Sequence, residues 1–157
     1  MGVLRSCKPR KEVLEGDLED AIFAADFGDL IARDDRTPLV YRDAPTFFAN
    51  THPATDLRRI VEHVFGRLSK KGEGGAIIRL STGFGGGKTH TLMTLWHLAQ
   101  NIGDAKLGTE LLPAAGRAKQ VAVVAVDAQK AGAPVFLRHG AVEVRSLQGE
   151  VAYQLGG

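Results

Sequence analysis

One stretch of this chain places glycines and reactive side chains where they could handle an anion: Thr82-Gly83-Phe84-Gly85-Gly86-Gly87-Lys88-Thr89-His90. Glycines permit a tight turn with positive φ, so that successive backbone N–H groups converge on a negative charge. Lys88 is spaced to reach the β- and γ-phosphates of a nucleotide as a point charge, and the Thr89 hydroxyl to coordinate Mg²⁺. A helix starting near Lys88 would add its unpaired amides and the positive end of its dipole. The strict spacing G-x-x-x-x-G-K-[ST] asks for glycine where this chain has Thr82. The half that grips phosphate, Gly87-Lys88-Thr89, is intact, and Gly85 and Gly86 supply flexibility. A glycine-rich hairpin or linker before an unrelated helix is the competing reading, and the order of the flanking segments disfavours it. The dinucleotide fingerprint that starts at Gly83-Phe84-Gly85 breaks at Lys88, and a kinase-type glycine loop breaks at the same residue.

Elements on both sides must hold such a turn. Ala76-Ile77-Ile78-Arg79-Leu80 reads as a short apolar strand, and Lys88 to Asn101 as a helix. Thr91, Thr94 and His97 form a narrow polar stripe on that helix, and Leu92, Met93, Leu95, Trp96, Leu98 and Ala99 fill the rest. His90 and His97 stand one heptad apart, too far for a single metal ion, and no cysteine or carboxylate completes a set. His90 either touches the phosphates or braces the loop, or else it only packs; the residues leave these open. Val121 to Val126 is apolar without alternation, as in a parallel strand covered on both faces, and strand-helix-strand order suits a right-handed βαβ unit. Asp127 ends that run, where a Mg²⁺-binding acid is expected, but Ala128 follows in place of a glutamate, and a turn cap is the competing role. The expected nucleotide contacts are therefore Gly83, Phe84, Gly85, Gly86, Gly87, Lys88, Thr89 and His90, with Thr89 and Asp127 as candidate Mg²⁺ ligands.

The 157 residues suffice for one core, and the net charge of +2 with mixed signs leaves nucleic acid open without indicating it. The single cysteine, Cys7, excludes an intramolecular disulfide and suits a reducing compartment. No apolar run reaches membrane-span length and no signal-peptide core is present, so no membrane partner and a cytoplasmic location are expected. Met1 to Ser6 satisfies a myristoylation pattern short enough to recur by chance. Leu18 to Phe27 suggests a short helix that Gly28 should end. Arg33 to Pro38 reads as a solvated turn in preference to a metal site. Asp43-Ala44-Pro45 should cap and start a short helix through Phe47 and Phe48. From Pro53 to Lys71, Leu57, Ile60, Val61, Val64, Phe65 and Leu68 mark one apolar helical face, capped by Thr55 or Thr51. Arg58, Arg59, Glu62, Arg67 and Lys70 opposite it read as a solvated face, since no aromatic residues interleave them. A turn-rich connection from Gly103 to Gly116 holds a candidate short helix at Thr109 to Leu112. Ala141 to Val144 suggests another strand, and Ser146 a cap for a last helix that stops at Gly156.

These elements predict an α/β protein: a partial three-layer P-loop NTPase fold over residues 72–157, preceded by a mainly helical extension over 1–71. Too few residues follow Thr89 for the ~5 strands of a full doubly wound sheet. The chain is thus expected to be the front part of a longer protein. By itself it should expose a parallel strand edge, associate, and lack turnover.

With those residues in view, the chain resembles a family of large bacterial P-loop ATPases catalogued mainly as a domain of unknown function, with relatives in phage-defence systems of the phage-growth-limitation and BREX type. The segments that carry the resemblance are Lys8-Pro9-Arg10-Lys11-Glu12-Val13, Ala21 to Phe27, Tyr41-Arg42-Asp43 with Phe47-Phe48, Thr82 to His90, and Gly149 to Gly157. In that family threonine takes the place of the first loop glycine. Gly83 departs from the asparagine expected there, and Gln148 stands where an aromatic is common. The resemblance implies ATP in preference to GTP, and a Mg²⁺-binding acidic strand beyond residue 157 in place of Asp127. It implies an ATPase that couples hydrolysis to conformational change, with defence-system proteins or further copies of itself as partners. The alternative is a scaffold that binds ATP without turnover and recruits partners.

Overall fold

Residues 88–100 form the helix that contributes to both hydrophobic cores, in a computed structural model that describes residues 14–16, 25–69, 77–81, 83, 85–127 and 137–156. The myristoylation pattern, Cys7, the start of the expected helix at 18–24, Thr82, Phe84 and the turn at 71–75 lie outside the described residues.

Helix α1 spans Phe27–Ile31, with Asp26 as its cap: one carboxylate oxygen accepts from the Gly28 and Asp29 amides at 2.7 and 3.2 Å. The chain thus begins a helix at Phe27, where the sequence suggested that one should end, and Gly28 is buried inside it. Pro38 leads into α2, Leu39–Arg42. Asp43 caps α3, Ala44–Ala49, by accepting from the Thr46 amide at 2.9 Å and from its hydroxyl, with Pro45 in the first turn as expected. Helix α4, Thr55–Ser69, buries Leu57, Val61 and Phe65, one helical face of the expected apolar set, whereas Leu68 stays half exposed. Thr51 does not cap α4. Its hydroxyl donates to the Phe47 carbonyl at 2.8 Å and closes the end of α3.

Helix α5, Lys88–Gln100, is packed on two sides. On one, Leu98 and Ala99 meet Leu57, Val61 and Phe65 of α4 together with Leu111 and Leu112. On the other, Met93 meets Leu30 and Phe47, flanked by Phe27, Tyr41 and Trp96. Gly108 closes the first core with φ +59°, and a Cβ there would lie 2.8 Å from Leu98 and 3.0 Å from Phe48. The Gly108 carbonyl accepts from both the Leu111 and Leu112 amides at 2.9 Å, so 109–112 is a turn and not the short helix expected. The Arg117 guanidinium ties this turn down through the carbonyls of Leu107 and, at 3.3 Å, Leu112.

The C-terminal elements are a hairpin and a helix. Strands β1, Leu137–His139, and β2, Val142–Val144, pair antiparallel, with Gly140 at φ +61° in the turn. Ser146 then caps α6, Leu147–Gly156, accepting from the Gly149 amide at 3.0 Å as its position suggests.

The expected parallel sheet is overturned. Among the described residues the only strand ladder is this antiparallel hairpin, so the three-layer α/β P-loop fold is not formed. Both apolar runs assigned to that sheet lie outside any ladder where described, at 77–81 and 121–127. Ile77 is fully exposed, so the first run lacks the two-sided cover that a buried strand needs. In the second run, a side chain takes the hydrogen bonds a neighbouring strand would make: the Gln154 amide donates to the Ala125 carbonyl at 2.9 Å and accepts from its N–H at 3.1 Å. Apolar composition favoured strands here, but a ladder also needs a partner with matching register, and none stands beside either run among the described residues. No helix among the described residues is long and apolar enough to cross a membrane.

Candidate functional site

The glycine turn feeds directly into α5. Gly85 and Gly87 have φ of +79° and +72°, in the left-handed region that side chains resist. Gly87 occupies the N-cap position, so no side chain caps the start of α5. Its carbonyl accepts from the Thr91 amide at 2.9 Å and from the Thr91 hydroxyl at 3.0 Å, which anchors the first helical turn. A Cβ at Gly83, Gly85 or Gly87 would meet nothing within 4 Å. The turn is therefore open to solvent, and its glycines serve backbone shape, not close packing.

Lys88 folds back across the turn. Its ammonium donates to the Gly83 carbonyl at 2.8 Å, and the Gly86 amide reaches the same carbonyl at 3.3 Å. The aliphatic stem of Lys88 borders a cleft of about 300 Å³ shared with Ile60, Val64, Ile78, Leu80, Leu92 and Leu95. Thr89 is half-buried in the first turn of α5. Gly83, Gly85, Gly86, Gly87, Lys88, Thr89 and His90 are thus contiguous around one turn and one helix start, while Phe84 lies outside the described residues.

His90 and His97 pack against α3. Phe47, 1% exposed, places its ring 4.8 Å from each imidazole. His97 Nε2 donates to the Tyr41 carbonyl at 2.7 Å. Burial pushes the His97 pKa down, only partly opposed by that bond and by Asp43. Burial likewise pushes the His90 pKa down. Thr91 and Thr94 belong to the same inward face, with the Thr94 hydroxyl donating to the His90 carbonyl at 2.8 Å. The stripe of Thr91, Thr94 and His97 that the sequence marked as polar is therefore buried, and Leu92 is 40% exposed in its stead. Each polar group satisfies itself on a carbonyl, which removes the usual cost of burial.

Asp127 ends the run 121–127, half-buried. A nucleotide triphosphate suits the turn on its donor set: left-handed glycines, a helix start without a capping side chain, and an ammonium reaching over. For Mg²⁺ the chain offers the Thr89 hydroxyl beside whatever phosphate oxygens are bound. Among the described residues no group of three or more His, Cys, Asp or Glu could hold a metal ion by itself.

Sequence reading missed Thr51 and Phe47 as neighbours of this site. Thr51 lies 39 residues before His90, and its hydroxyl stands 3.1 Å from the imidazole. No spacing rule joins residues so far apart; only the packing of α3 on α5 does.

No curated protein and no solved structure matches the chain. A family model does, over residues 1–157, and by that match the chain belongs to the family described as the DUF499 N-terminal domain.

Proposed function

We propose that the Gly83–Thr89 turn binds ATP with Mg²⁺, and that in the protein that carries this chain hydrolysis of the bound nucleotide drives a conformational change. One observation carries the reading. Lys88, at the first position of a 13-residue helix, arches over a turn built on two left-handed glycines. An ammonium that rests on a loop carbonyl can exchange it for phosphate oxygens when an anion enters, with small displacement. The helix dipole and its first-turn amides add a fixed favourable potential at the same point.

The test is titration of a fluorescent ATP analogue with and without Mg²⁺. Lys88→Ala removes a charge-assisted contact of about 1.5–3 kcal/mol, so affinity should fall roughly ten- to a hundredfold in both conditions. Thr89→Ala deletes a Mg²⁺ ligand, so its defect should be larger with Mg²⁺ than in EDTA. Wild-type affinity in Lys88→Ala under both conditions would remove the turn as a nucleotide site.

A further inference from the structure

The first turn of α5 is joined to the end of α3 through His90. His90 follows Thr89 directly, and its ring lies against Phe47 and Thr51, at the end of α3. Thr51 has a single hydroxyl proton, which it gives to the Phe47 carbonyl at 2.8 Å. At the 3.1 Å contact the Thr51 oxygen therefore accepts, and His90 Nε2 carries the proton. The His90 backbone is held as well, since its carbonyl receives the Thr94 hydroxyl at 2.8 Å. Phe47 is fully buried and stacks on the ring at an interplanar angle of 28°, so the ring has a fixed wall behind it.

Gly87 provides no side-chain cap for α5, and a helix start without one frays. Fraying there would scatter Lys88 and Thr89, the two side chains that must converge on phosphate. A side chain that is immobilised only on binding weakens the complex by the order it must acquire. A clamp on the next residue moves that cost into folding. We propose that Thr51 is a positioning residue for the phosphate-binding turn, acting through His90, so that the end of α3 is a working part of the nucleotide site. This rests on the nucleotide reading above for its ligand, and on the geometry alone for the clamp.

The experiment measures two quantities on the intact protein: affinity for a fluorescent ATP analogue with Mg²⁺, and amide hydrogen exchange over 87–92 without ligand. Thr51→Val should weaken the analogue about three- to tenfold, the value of one hydrogen bond, and speed exchange at 87–92. Thr51→Ser should restore both. His90→Ala should show the same losses, and adding Thr51→Val to it should cost nothing more. Ser69→Ala is the control: it removes a hydroxyl that stands 2.8 Å from both the Phe65 and Gly116 carbonyls, away from the turn, and should alter neither quantity.

Three results overturn the proposal: wild-type exchange at 87–92 in Thr51→Val, a loss of affinity in His90→Ala that Thr51→Val does not share, or equal losses in Ser69→Ala. Failure of the nucleotide reading looks different. There the wild type fails to bind the analogue, or Lys88→Ala binds as well as it does, and the exchange data alone then uphold or overturn the clamp.

Discussion

Histidines pack against partners in two regions of the molecule, on α5 and at the hairpin, and the two are built on opposite electrostatic terms. At α5, His90 and His97 share one face of Phe47's surroundings and reach only neutral partners, the Thr51 hydroxyl and the Tyr41 carbonyl. At the hairpin, His139 Nε2 lies 2.8 Å from a carboxylate oxygen of Glu150, and its ring stacks on Tyr153 at 4.1 Å. Glu150 is 1% exposed, and Gln154 donates to its other oxygen at 2.7 Å. Burial alone would push the Glu150 pKa up, but the bonds from Gln154 and His139 together outweigh it and hold the carboxyl below its ordinary value. The α5 imidazoles hydrogen-bond to neutral groups, with Asp43 acting on His97 only through space, whereas His139 bonds directly to a carboxylate. The partner of an imidazole, a hydroxyl or carbonyl in one region and a carboxylate in the other, thus sets the electrostatics around it.

The largest expected effect falls on the first cluster. Phe47→Ala removes the wall shared by both imidazoles and opens a cavity between α3 and α5, for a loss of about 3–5 kcal/mol. Urea unfolding checks it; a loss near zero would mean that α3 is not packed on α5 in solution. Glu150→Ala should cost less, about 1–3 kcal/mol, because His139 and Gln154 lose their acceptor but His139 is partly exposed to water. Its signature should be local, with faster amide exchange in the hairpin and α6 and none in α5.

Acid separates the two clusters. His90 and His97 have folded pKa values below the ordinary 6.5, so the unfolded chain binds protons first. Their contribution to stability is complete above about pH 6.5 and is lost as pH falls below it. Glu150 also has a lowered folded pKa, from an ordinary 4.5, so its contribution is complete above that value and fades only as pH falls through the folded one. Urea midpoints followed from pH 8 downward should therefore begin to fall near 6.5. In His97→Gln the slope between pH 7 and 5.5 should flatten, and an unchanged slope would place the titration elsewhere. The smallest effect is at the cap of α6: Ser146→Ala should cost about 1 kcal/mol, measured as a small midpoint shift without change in the pH profile.

Much of this was legible in residue order, and the limits have physical causes. The glycine turn and the start of α5 followed from local chemistry, because left-handed glycines and a lysine at a helix start act over a few residues. The caps at Asp43 and Ser146 and the buried face of α4 at Leu57, Val61 and Phe65 were equally local. The inward stripe at Thr91, Thr94 and His97 was not, since periodicity assigns polar residues to water. Their hydroxyl and imidazole groups instead found carbonyls of the same helix and of α2. The runs near 77–80 and 121–126 misled for a related reason. Apolar composition reports a wish for burial, but pairing in a sheet depends on a partner elsewhere in the chain, and Ala125 found a glutamine side chain instead.

That glutamine has a consequence for how this chain meets other chains. An apolar extended segment that offers its own N–H and C=O outward is a template on which a foreign strand can grow. With both backbone groups of Ala125 engaged by one carboxamide, the template is interrupted near the middle of 121–127. The interruption is carried by α6, whose Glu150 also receives the same carboxamide. Shelter from intermolecular strand growth is therefore conferred by a side chain 29 residues downstream, so a nascent polypeptide passes through a stage in which the segment exists and its guard does not.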